Sequence, residues 1–154
     1  MTFVKDIIVS GYNMKNNKNN SKFFYQGFLL WILILLGCFI LGAFDDLVLF
    51  PLVGKIAISI TGIFMCIVIF TVAWIFLPKL IRGTAKNYWL LGIIWFIMTF
   101  LFESIEAIVL EGSSWQGIVA AYNPFLAGNL WILVMFSMLI APWIIAKIRK
   151  LIVN

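Results

Sequence analysis

The chain contains no histidine. The side chain that most often ligates metals and serves as a general base near neutral pH is therefore missing. Histidine-ligated haem and the helical zinc-protease motif go with it. Cysteine is limited to Cys38 and Cys66, which form no C-x-x-C pair. Both fall inside long apolar runs and read as small packed thiols, with a disulfide inside the membrane as the alternative. Charge is scarce as well, at 11% of 154 residues, against about 25% in an average soluble domain. There is no glycine-rich phosphate loop, no nucleophile elbow and no internal repeat. No nucleophile–base arrangement is visible either, so the expectation is a protein that is not an enzyme and has no organic cofactor. The net charge of +5 does not point to nucleic acid, because the basic residues flank apolar runs, where they set topology.

Apolar sequence fills the space that charge leaves. Hydrophobic residues are 64% of the chain, and the mean hydropathy is +1.12. A soluble domain holds about 45–50% apolar residues. The excess is gathered into four runs, each long enough to cross a hydrocarbon layer of about 30 Å as a helix. The spans are expected at about 24–43, 52–77, 88–109 and 125–146. The fold class is then an all-α integral membrane protein, an antiparallel bundle of four transmembrane helices. One domain is expected over 24–149, between a polar, flexible arm at 1–23 and a short tail at 150–154. The arm is Asn-rich and reads as no cleavable signal peptide, because its polar stretch is too long before the first apolar run.

Lysine and arginine orient the spans. With the N-terminus inside, every one of the eleven except Lys55 lies in a cytoplasmic segment, so both termini are expected in the cytoplasm. Asn, Lys and Ile are abundant, as in proteins from AT-rich prokaryotic genomes, and the expected location is a prokaryotic plasma membrane. Between the first two spans, Leu47–Lys55 is too apolar for an exposed loop and is expected to dip into the outer interface. Pro51 there would open the second span. Between the last two spans, Ser113 or Ser114 would cap a short helix ending near Ala121. Trp115 and Ile118 of that helix would face the lipid boundary. Trp74, Trp89, Trp131 and Trp143 sit near span ends and read as interfacial anchors, while Trp31 and Trp95 lie deeper.

The acids are distributed as unevenly as the bases. Asp45, Asp46, Glu103, Glu106 and Glu111 all fall toward the outer face, and only Asp6 is cytoplasmic. Acidic residues contribute little to topology, so the basic bias does not force this clustering. Glu103 and Glu106 lie inside an apolar span, where a charged carboxylate costs roughly 2.5 kcal/mol or more at the bilayer centre. They are three residues apart and share a helix face. Thr99, four before Glu103, adds a hydroxyl to that face. If the first and third spans are neighbours, Asp45 and Asp46 close over these glutamates, with Glu111 on the rim. Three states suit such a group: a protonated carboxyl, a pair with Lys55, or a bound cation such as a divalent ion held by several oxygens.

A short pattern runs through the C-terminal half: Trp95, Thr99 and Glu103 at four-residue spacing, then Tyr122–Asn123–Pro124, then Gly128 with Leu130–Trp131, then Ala141–Pro142. It resembles small uncharacterised four-span membrane proteins of bacteria and archaea. The resemblance implies the four-helix architecture and no activity.

Three functions remain open on the sequence. The leading one is binding or translocation of a cation, or of a small cationic or amphipathic molecule, at the outer acidic cluster. A second is an interaction subunit, docked in a larger membrane complex or self-associated, with the carboxylates holding helices together. A third is a lipid-modifying enzyme using the acids with a metal.

Overall fold

The computed structural model describes residues 2–80, 82–109, 112–121 and 130–153. Among them every element is helical, apart from one isolated bridge between Gly83 and Ile152. Helix α1 runs Thr2–Phe44 and continues through a π-helical turn, Asp45–Leu49, into α2, Phe50–Val53. Helix α3 is Ile56–Phe76 and ends in a 3-10 turn, Leu77–Lys79. Helix α4 is Ala85–Val109, α5 is Trp115–Ala121, and α6 is Trp131–Ile148. Four stretches are long and apolar enough to cross a membrane: Ser21–Val53, Ile56–Lys79, Ala85–Val109 and Trp131–Ile148.

The first connection differs from the expectation. Leu47–Val53 forms no dipping loop, because the helix of the first span continues through it. Pro51 directly follows the π turn, and the helical path continues past it to Val53. The break comes at Gly54, whose φ of +65° is open to a residue without a Cβ. The first span is therefore longer than 24–43, and the second starts later than 52. At the other end, the backbone expected as a flexible arm is helical from Thr2. The start of the fourth span, with the Tyr122–Pro124 motif, lies outside the described residues. Ser114 caps α5 as anticipated, its Oγ accepting the Gly117 N–H at 3.2 Å.

Helix α6 packs against both α3 and α4, and α1 packs against the same two. The closest approach is between α4 and α6. A Cβ added to Gly92 would land on the carbonyl oxygen of Leu139, so glycine is what allows these backbones to touch. The apolar core is densest in the half where the chain's basic segments gather, around Phe23, Leu77, Tyr88, Leu91 and Ile145, all essentially solvent-free. That end is tied together. The Val153 N–H donates to the Gly83 carbonyl at 3.0 Å, and Arg149 lies 4.8 Å over the Trp74 ring. Lys147 lies 5.0 Å over Trp143, which stacks at a tilt on Trp89.

Two further bonds clasp α1 to α4. Trp31 Nε1 donates to Thr99 Oγ1 at 2.9 Å, and Trp95 Nε1 donates to the Gly27 carbonyl at 3.0 Å. Both deep tryptophans are thus packing residues whose polar tips are satisfied.

Candidate functional site

The inward stripe of α4 runs Tyr88, Gly92, Trp95, Thr99. Continued at helical spacing, it reaches Glu103 and Glu106. The two acids are therefore on the face that α4 turns toward its neighbours, and both are half-buried. On α3 the buried stripe is Ala57, Thr61, Met65, Ile69 and Ala73, one residue per turn. Where these stripes reach the end of the molecule away from the basic belt, the packing opens into a cavity of about 330 Å³.

Its wall brings together Asp45 and Asp46 from the π turn, Thr61 and Met65 from α3, and Glu103 and Glu106 from α4. Ile118 from α5 and Trp131 from the start of α6 complete it. Four of the acids singled out in the sequence therefore line one space. Asp45 is 9% exposed and Thr61 is 5% exposed. Among the described residues, Asp45 Oδ1 and Thr61 Oγ1 make no hydrogen bond. Buried polar atoms without partners are uncommon and each calls for an explanation. Two on one cavity wall mark the surface that a polar guest would satisfy.

A second cavity of about 390 Å³ adjoins the first. It shares Gly42, Asp46, Met65, Glu103, Glu106 and Trp131 with it, and is otherwise apolar: Leu35, Cys38, Phe39 and Ala43 of α1 face Phe102 of α4. Asp46, Glu103 and Glu106 are thus common to both spaces, and what the second adds is an apolar flank of Leu35, Phe39, Ala43 and Phe102.

The remaining sequence candidates are Thr99 and Glu111. Thr99 is buried beneath the cavities, with its hydroxyl taken by Trp31, so it braces α1 against α4. Glu111 lies outside the described residues. Conversely, Thr61, Ile118 and Trp131 belong to the wall although the sequence suggested other roles. Thr61 lies within the second apolar run, and its signal was a hydroxyl at the four-residue spacing of Ala57, Met65, Ile69 and Ala73. Ile118 was expected at the lipid boundary but is 4% exposed, while Trp115 of the same helix is exposed as expected. Trp131 was expected to anchor at an interface, and nothing in its local sequence separates it from Trp74 or Trp89.

The donor set limits what the cavity can hold. Among the described residues, no three or more Asp, Glu, Cys or His side chains converge closely enough to hold a metal ion. A hard divalent ion takes six or more oxygens at about 2.0–2.6 Å, so one held by this spread of acids would keep several of its own waters. Spaced carboxylates with apolar and aromatic neighbours suit a larger, diffuse positive charge. The volume falls at the lower end of the range for small-molecule sites, about 300–1,000 Å³.

No family model matches the chain, and no curated protein or solved structure matches it.

Proposed function

We propose that this multi-pass membrane protein is non-catalytic and binds a cation, or a small cationic or amphipathic molecule, in the acid-lined cavity, as a small transporter, channel or sensor. The observation that carries the reading is the convergence of Asp45, Asp46, Glu103 and Glu106 on one cavity of about 330 Å³ whose wall holds the unpartnered Asp45 Oδ1 and Thr61 Oγ1. Carboxylates at a low-dielectric mouth concentrate positive charge. The membrane in question is a prokaryotic plasma membrane, and both termini are cytoplasmic. The clustering of Lys79, Arg82, Lys86, Lys147, Arg149 and Lys150 on the linked α3–α4 and C-terminal segments supports that orientation. The four spans are antiparallel in sequence order, and the cavity then opens toward the outer leaflet.

The test is thermal unfolding of the purified protein against sodium, potassium, magnesium, calcium and tetramethylammonium, beside the double variant Glu103→Gln, Glu106→Gln. A ligand that binds only the folded state stabilises it by about 2.7 kcal/mol at a hundred times its Kd. A saturable rise in Tm with at least one cation, absent from the double variant, is expected. If none of the five shifts Tm, and the variant loses assembly instead, the carboxylates hold helices together and the protein is an interaction subunit.

A further inference from the structure

The ligand class can be narrowed by the groove beside the acids. The two bonds that clasp α1 to α4 join Gly27 to Trp95 and Trp31 to Thr99, each across 68 residues. The helices are in register there. At the same offset Leu35 comes level with Glu103, and Cys38 with Glu106. Beyond the Trp31–Thr99 bond a cavity of about 390 Å³ lies between the two helices, apolar along the flank formed by Leu35, Phe39, Ala43 and Phe102. Its rim carries Phe39, 65% exposed, and Phe102, 42% exposed, on a surface that faces lipid when the spans are in a bilayer. Its inner wall carries Asp46, Glu103 and Glu106, shared with the polar cavity. Trp131 lines both spaces, and indole rings attract quaternary ammonium groups.

Resting on the cation-binding reading above, we propose that the ligand is a single-chain cationic amphiphile. Its quaternary or alkyl-ammonium head lies among Asp46, Glu103 and Glu106. Its hydrocarbon chain lies in the α1–α4 groove between Leu35, Phe39 and Phe102. The molecule reaches the site sideways from the lipid, between α1 and α4. The arrangement accounts for both halves of the site. A bare ion has no use for the apolar groove, and an uncharged lipid chain has none for the three carboxylates. The polar chamber behind the head, with Asp45 and Thr61, is left for its hydration or small substituents.

The experiment measures binding of tetramethylammonium and of alkyltrimethylammonium ions with chains of two to eight carbons. The protein is held in nanodiscs of zwitterionic lipid, and partition into empty nanodiscs is subtracted. Wild-type affinity should climb with chain length, by up to about fourfold for each buried methylene, until the groove is filled. Ala43→Trp, which adds bulk to the groove at a position lining only that cavity, should abolish the climb. Phe39→Ala removes apolar wall at an exposed site where folding tolerates change, and should flatten the climb several-fold at the longest chain. Equal affinity for all chain lengths, or the same climb in wild type and both variants, overturns the proposal. Tetramethylammonium binding that is lost in the Glu103→Gln, Glu106→Gln variant but shows no chain dependence overturns the amphiphile alone. No binding of any member overturns the amphiphile, and the cation reading falls with it only if the four inorganic ions also leave Tm unchanged.

Discussion

Asp45 and Thr61 are side chains whose burial packing alone does not explain. Each is more than nine-tenths buried and each leaves an oxygen without a partner. An orphaned hydroxyl contributes nothing to the folded state, so its removal is nearly neutral or mildly stabilising. Thr61→Val should therefore leave Tm unchanged or raise it, by no more than about 1 kcal/mol in stability, while weakening cation affinity several-fold. Paired melting and binding measurements on the variant check this, and a large fall in Tm would make the hydroxyl structural. Asp45→Asn keeps the shape and replaces one carboxylate oxygen by an amide. Binding should drop by tenfold or more with the fold intact, as read by titration calorimetry. Trp31 behaves oppositely, because its indole N–H is spent on Thr99. Trp31→Phe should cost about 0.6 kcal/mol, the average for a hydrogen bond between membrane helices, and leave cation affinity unaltered.

At the scale of elements, the π turn over Asp45–Leu49 decides which of two adjacent aspartates enters the cavity wall most deeply. A π turn admits an extra residue and rotates everything beyond it relative to an ideal helix. Asp45 is buried and Asp46 exposed, yet both line the polar cavity. Leu47–Lys55 was expected to dip because it is too apolar for an exposed loop, but neither the two aspartates before it nor Pro51 within it ends the helix, which runs on to Val53. The helix-to-helix contact most sensitive to substitution is at Gly92. Gly92→Ala drives a methyl into the Leu139 carbonyl, and overpacking of this kind costs about 1–3 kcal/mol. Thermal unfolding in detergent should register that loss, and an unchanged Tm would mean that α4 and α6 part easily. The inward position of Glu103 and Glu106 was legible beforehand, since they extend the stripe of Trp95 and Thr99. That Thr99 would be consumed by Trp31 was not, because the donor comes from a helix 68 residues away.

Across the whole molecule, tight packing and open space are divided between two ends. The basic end holds the densest core and cation–π contacts to Phe76, Trp143 and Trp74. The acidic end holds both cavities. A protein anchored at one end and open at the other is expected to move least at the anchored end. Its orientation can be tested directly. In intact cells, a membrane-impermeant thiol reagent should label Lys55→Cys and spare Lys150→Cys, each made in a background lacking Cys38 and Cys66. The reverse pattern would turn the molecule over and place the acidic cavity on the cytoplasmic side.

The sequence by itself determined that four stretches are long and apolar enough to cross a membrane, the separation of acidic from basic residues, and the inward face of α4. These are one-dimensional properties. Hydropathy and charge are summed along the chain, and helical periodicity is set by the backbone. Tertiary structure alone decided that Asp45 and Asp46 meet Glu103 and Glu106 across one cavity, that Thr61, Ile118 and Trp131 complete its wall, and that an apolar groove adjoins it. Those facts depend on how each helix is rotated about its axis and which helix it touches. In apolar spans that rotation is weakly encoded, because nearly every face is hydrophobic. Close fits such as Gly92 against Leu139, and single bonds such as Trp31 to Thr99, select it.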